Sequence, residues 1–208
     1  MKISLTNVGK RFNKDWIFRN LNFQFHSERW YAVIGPNGSG KSTLLQIIAG
    51  ATSHSEGEIK FEAGKNISPE HFYSSISIAA PYLELVEEMT LLEFLHFHSA
   101  LKNWLSSFTS EKIIAILGLE HAKHKQIRYF SSGMKQRVNL AQAIFSNVPV
   151  VLLDEPTTNF DEEGILLYRN LVNNFCKNRL LIVSSNDKNE YDFCDEVLDM
   201  KNYKVGQE

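Results

Sequence analysis

The sequence predicts an α/β fold: a mainly parallel sheet flanked by helices, with an N-terminal antiparallel β subdomain and an inserted α-helical subdomain. Three observations predict it. The apolar run 30–34 (WYAVI) passes through a glycine-rich loop into the helix-like LLQIIA, which is a strand, loop and helix in succession. The run 149–153 (PVVLL) is continuously apolar, as a strand covered on both faces must be. From Thr90 onward Leu91, Leu92, Phe94, Leu95, His98 and Leu101 recur at helical spacing between these two strands.

Taken in order, residues 2–8 and 17–25 alternate apolar and polar positions and predict antiparallel strands around a turn at Arg11, Phe12, Asn13 and Lys14. The helix after the glycine-rich loop stops at Gly50, a residue suited to a left-handed helix end. Ser55, Glu56 and Gly57 turn the chain into a short strand at 58–61, and after a polar stretch to Ser68 a further strand covers 75–79 and ends at Pro81. Thr90, with Glu93 three residues on, opens the first inserted helix, and a second runs over about 111–117 before Gly118. Ser131 or Ser132 caps a helix continuing through Val138, Ala141, Ile144 and Phe145. A helix over 162–176, a strand over 180–184 and a final helix and strand within 188–200 complete an alternating β/α order.

Composition excludes several function classes. Lys and Arg number 22 against 24 Asp and Glu, leaving a formal charge of −2, so no positive field favours nucleic acid. The longest apolar runs are far shorter than a membrane span, which argues against direct membrane insertion, and the N-terminus MKISLTNVGKRF lacks the apolar core of a signal peptide. Cys176 and Cys194 have no metal-ligand spacing and read as buried thiols of a reducing cytosol. His96 and His98 lie two apart on a helix and point to different faces, so they share no metal; the aromatics Phe94, Phe97, Trp104 and Phe108 read as core. His121 and His124, with Lys123, Lys125 and Arg128, read as a solvated basic patch.

The chemistry concentrates at residues 35–43, GPNGSGKST. Gly35, Gly38 and Gly40 let successive N–H groups turn toward one centre, with Pro36, Asn37 and Ser39 between them, and the following helix aims its positive end at the same point. An anion is favoured there. Lys41 is placed to reach nucleotide β- and γ-phosphates, and the Ser42 hydroxyl, beside Thr43, is placed for a magnesium ion. Asp154 and Glu155 follow the apolar strand 149–153; the first suits the waters of a metal, the second a general base toward an attacking water.

With the segment 130–137 (FSSGMKQR) lying ahead of Asp154 and Glu155, the chain resembles the ATP-binding subunit of an ABC (ATP-binding cassette) transporter over nearly its whole length. The resemblance implies one ABC ATPase domain over 1–208, with a P-loop NTPase core from 1–80 and 131–208 and a helical subdomain over 81–130. It implies ATP and Mg2+ as cofactors and a head-to-tail homodimer or heterodimer, in which Ser131, Ser132 and Gly133 of one subunit meet the ATP held by Lys41 of the other. It also implies adenine stacking by Phe12, with Trp16 as a substitute, and an interface loop (Asn159, Phe160, Asp161) that crosses the dimer through Asp161. A transmembrane permease would dock on the helical subdomain near residues 82–88, placing the chain on the cytoplasmic face of a membrane.

Two positions depart from that family. Pro81 stands where it usually has glutamine, and Asn186 where it usually has histidine. Proline offers neither amide nor N–H, and asparagine cannot become cationic. The sequence therefore predicts retained nucleotide binding with slow or altered hydrolysis, Asn186 still donating to the γ-phosphate. The alternative is an ATP-dependent switch or assembly module with little turnover and no transported substrate. A phosphate-loop kinase would need an acceptor lid in place of the 130–137 helix. The last strand ends close to Glu208, which leans toward export or lipid handling within the resemblance.

Overall fold

A computed structural model describes residues 1–62 and 72–204. Among the described residues two sheets carry the fold, a three-stranded antiparallel one and a five-stranded one. β1 (Lys2–Phe12) and β2 (Asp15–His26) form the predicted hairpin, closing at Asn13 with a left-handed φ of 54°, and β4 (Glu56–Glu62) pairs with the other edge of β1. The second sheet has the order β5-β6-β7-β3-β8, built from β5 (Ile76–Ala79), β6 (Val150–Asp154), β7 (Leu180–Ser184), β3 (Trp30–Ile34) and β8 (Glu196–Asp199), and its pairs are parallel. The α/β class expected from the apolar runs is therefore the class observed.

The central strands divide the core between their faces. In β6, Val150 and Leu152 join the cluster beneath the antiparallel sheet, where α1 (Lys41–Ile48) contributes Leu44, Leu45, Ile47 and Ile48. Val151 and Leu153 point the other way, into a cluster shared with α2 (Leu91–Leu101), α3 (Ser110–Ile116), α4 (Ser132–Ile144) and α5 (Glu162–Phe175). β7 splits identically, with Leu180 and Ile182 on one side and Leu181 and Val183 on the other. The two-residue period of a strand thus explains why these runs contain no polar position.

Local signals set the helix starts. Thr90 and Glu93 form a reciprocal capping box, the Thr90 N–H donating to Glu93 Oε2 at 2.8 Å and the Glu93 N–H to Thr90 Oγ1 at 3.3 Å. Ser131 caps α4 and Asp161 caps α5. The helix expected near residue 188 is only a 3₁₀ turn over Lys188–Glu190, capped by Asp187; KNEYDFCDE has no helical apolar stripe long enough to bury. Phe97 also departs from expectation. Phe94 and Trp104 are buried, whereas Phe97 lies on the outer face of α2 and is 46% exposed.

His96 and His98 do point apart. His96 is exposed, while the His98 ring stacks on Trp104 at 4.8 Å and its Nε2 lies 2.9 Å from Ser146 Oγ. Burial, with nearby Lys102 adding to it, pushes the His98 pKa down to about 4. Because the folded value lies below the unfolded one, stability is complete above the unfolded pKa and is lost as pH falls toward 4. Urea unfolding is expected to show a loss of roughly 1–2 kcal/mol between pH 6.5 and pH 5, and His98→Gln is expected to remove that component of the slope. A slope unchanged by the substitution would assign it to other groups.

Candidate functional site

β3 ends at Ile34 and α1 starts at Lys41, so the glycine-rich loop sits at the C-terminal edge of the parallel sheet, where strand ends and helix starts converge. Gly40, the residue before α1, has φ 96°, and a Cβ there would lie 2.7 Å from Ile17 Cγ2 and 2.8 Å from Phe18 Cδ1. Only glycine seats the loop this closely on β2. No side chain caps α1 and no acidic residue occupies its first turn, so the N–H groups of that turn remain available to a ligand.

Lys41 is buried at 5% exposure, and its Nζ donates to the Gly35 carbonyl at 2.9 Å. The ammonium is thus held inside the loop by one neutral acceptor, which an anionic oxygen would outcompete. A cavity of about 220 Å³ opens here, lined by Asn37, Gly38, Gly40, Lys41, Ser42, Thr43 and Glu155. A larger cavity, about 450 Å³, lies at the other end of α1 between Ile48, Ile59, Phe61 and Phe72. The glycine-rich loop takes no part in it.

The carboxylates arrive on β6. Asp154 is 1% exposed, and its Oδ1 has no hydrogen-bond partner among the described residues. A buried carboxylate oxygen without a donor fits the water shell of a hard, oxygen-seeking cation, and Ser42 lines the same cavity as Glu155, the residue that follows Asp154. No cluster of three or more His, Cys, Asp or Glu side chains able to hold a metal occurs among the described residues. Magnesium in a nucleotide site needs no such cage, because phosphate oxygens and waters complete its shell. Glu155 adopts a left-handed φ of 44°, rare for a residue with a side chain, and its N–H donates to Ser184 O at 2.8 Å. That turn takes Glu155 off the sheet and onto the cavity wall.

Asn186 also reaches the loop: its Nδ2 donates to Asn37 Oδ1 at 3.0 Å. Phe12 stands half exposed at the hairpin end with Lys10 Nζ 4.6 Å from its ring centre, while Trp16 lies under Arg19 at 4.1 Å and near Arg11 at 5.5 Å. Phe12 therefore offers the freer ring. Ser131, Ser132 and Gly133 lie at the start of α4 and line no part of the phosphate-loop cavity, the two serines being exposed; Asp161 is exposed at the start of α5. One chain thus brings together Lys41, Ser42, Glu155 and Asn186 but leaves the serine-capped helix facing elsewhere.

Sequence reasoning missed Glu190. This carboxylate is 4% exposed and accepts from the Thr157 N–H at 2.7 Å and from the Thr157 hydroxyl, while its own carbonyl accepts from the Tyr168 hydroxyl at 2.6 Å. Burial raises its pKa, against hydrogen bonds from Ser185 and Thr157. It ties the loop after Glu155 to the segment holding Asn186, and no local pattern announces a contact made across 33 residues. Gln136 braces the same loop from α4, its Nε2 donating to the Pro156 carbonyl at 2.8 Å.

Residues 18–158 match the family model described as ABC transporter. An uncharacterized ABC transporter ATP-binding protein, YybJ, from Bacillus subtilis (strain 168) is 30% identical over 205 residues, covering 98% of this chain and 94% of that one. The cytochrome c biogenesis ATP-binding export protein CcmA of Reclinomonas americana is 32% identical over 187 residues, covering 88% and 83%. Among solved structures, a dimeric post-hydrolysis state of the ATP-binding cassette MJ0796 bound to ADP and Pi matches the fold with a TM-score of 0.80 at 21% identity, over 97% of this chain and 94% of that one.

Proposed function

The chain belongs to the ABC transporter family of ATP-binding proteins, and from that premise we propose that it is an ATP-hydrolysing transporter subunit that dimerises head-to-tail on ATP to drive a transmembrane permease. The observation that carries this reading is the convergence of the uncapped α1 start, buried Lys41, Ser42 and Glu155 on one cavity. Backbone N–H groups and Lys41 bind the phosphates, the ammonium exchanging the Gly35 carbonyl for phosphate oxygens. Ser42, and Asp154 through water, would hold Mg2+, which would neutralise charge on the phosphate oxygens. Glu155 accepts a proton from the attacking water. Phe12 stacks on the adenine ring.

A second subunit completes the site. The exposed Ser131 and Ser132 and the adjacent Gly133 present hydroxyls and helix N–H groups that this chain does not direct at its own phosphate loop. A partner's phosphate is their natural acceptor, and Asp161 lies on the loop that would cross the interface. That the MJ0796 cassette is dimeric with ADP and Pi bound supports a two-subunit reading. We read residues 1–80 and 131–208 as the nucleotide core of a single domain, and 81–130 as the helical subdomain that meets the permease. There Tyr82, Leu83 and Val86 are exposed. No helix among the described residues is long and apolar enough to cross a membrane, and in this reading the chain sits at the cytoplasmic face through that partner.

Turnover is slow in this reading, because Asn186 already spends its amide on Asn37 and cannot carry a positive charge. The same contact favours the second reading, a switch that closes on ATP with little hydrolysis. Steady-state ATPase assays separate them. The isolated chain is expected to turn over slowly, and Asn186→His to raise the rate about tenfold, the worth of one charge-assisted hydrogen bond of roughly 1.5 kcal/mol. An ordinary rate that the substitution leaves unmoved would remove the slow-turnover reading, and failure to bind ATP would remove the whole assignment.

A further inference from the structure

Pro81 looks like a loss only when it is considered alone. Leu83 N–H donates to the Ala80 carbonyl at 3.1 Å, so residues 80–83 form a β-turn with Pro81 at its second position, where a ring-fixed φ is favoured, and Tyr82 at its third. The Asn139 side chain pins the same Ala80 carbonyl at 2.9 Å. Ala79 pairs in register with Leu153, one residue before Asp154, so this turn opens beside the β6 carboxylates. The rigid turn is therefore a device for aiming the residue that follows proline.

What it aims is a phenol. The Tyr82 side chain lies within reach of the Gln46 side chain and of the Asp154 charge, although the residue as a whole is 42% exposed. Gln46 stands four residues after Ser42 on α1, one turn on and on the same face. A phenol is a neutral O–H group at neutral pH. Such a hydroxyl offers one donor and two acceptor sites, the hydrogen-bonding capacity that proline lacks.

We propose that Tyr82 is a positioning residue on the magnesium side of the nucleotide site, its hydroxyl, steadied by Gln46, ordering the water between the metal and Asp154. The proposal rests on the nucleotide reading above. Equilibrium titration with a fluorescent ATP analogue, in excess magnesium and in EDTA, tests it in wild type, Tyr82→Phe, Gln46→Leu and the double variant.

In EDTA all four proteins are expected to bind alike. The gain in affinity on adding magnesium is expected to fall about five- to tenfold in each single variant, with no further fall in the double, because one hydrogen-bonded unit is lost in every case. Tyr82→Phe removes a single oxygen, and an unchanged melting transition confirms that the fold is kept. A full magnesium gain in Tyr82→Phe, or equal weakening with and without magnesium, overturns the role of Tyr82 while leaving nucleotide binding intact. No magnesium gain in wild type overturns the nucleotide reading and this proposal together.

Discussion

Glu155→Gln is expected to reduce ATP turnover by about 10²–10⁴-fold while leaving ATP affinity near its starting value. The substitution keeps the size and the hydrogen-bonding shape of the side chain but removes its ability to accept a proton. Its backbone position is equally suited to glutamine, since the left-handed φ of 44° and the N–H bond to Ser184 O do not involve the carboxylate. With hydrolysis blocked and the phosphate contacts of Lys41 intact, ATP is expected to hold two subunits together, visible as a dimer by light scattering with ATP and a monomer with ADP. Turnover within threefold of wild type would place the base elsewhere, and a monomer under saturating ATP would count against the head-to-tail dimer.

Arg179→Met is expected to destabilise the fold by roughly 3–5 kcal/mol, although Arg179 touches no part of the site. The guanidinium is 7% exposed and donates to Ile144 O at 2.5 Å, Ser146 O at 2.9 Å and Phe175 O at 2.7 Å. Those carbonyls close the C-terminal ends of α4 and α5, and neither helix has a basic residue of its own in its last turn. One cation therefore serves two negative helix ends in a buried setting. Methionine fills most of the volume but strands the Ile144 and Phe175 carbonyls, while the Ser146 carbonyl keeps the Val148 N–H at 2.9 Å. Urea unfolding at neutral pH reads the loss directly; a cost below about 1 kcal/mol would mean that water reaches those carbonyls and replaces the arginine.

Much of the fold was legible because its signals are short-ranged. The Thr90–Glu93 box, the Ser131 and Asp161 caps and the turn at Asn13 depend on residues within a few positions of one another. The strands 150–154 and 180–184 were legible because burial on both faces leaves no polar position to confuse the pattern. Phe97 failed the same logic: a helical aromatic reads as core until packing decides which stripe faces inward. The helix expected near 188 failed because Asp187 caps a single turn that no apolar stripe extends.

By itself the sequence determined the glycine-rich loop, the helix after it and the carboxylates at the end of an apolar strand, since each is a property of contiguous residues. Only the tertiary structure decided which of them meet. The order β5-β6-β7-β3-β8 sets the turn at Pro81 beside Asp154, brings Asn186 across 149 residues to Asn37, and lets Glu190 clasp the loop after Glu155. Strand order is fixed by the burial of two sheet faces against different helices, a global balance of packed area that no local pattern of residues records. That is why Pro81 read as a missing amide in the chain and as the pivot that presents the Tyr82 hydroxyl in the fold.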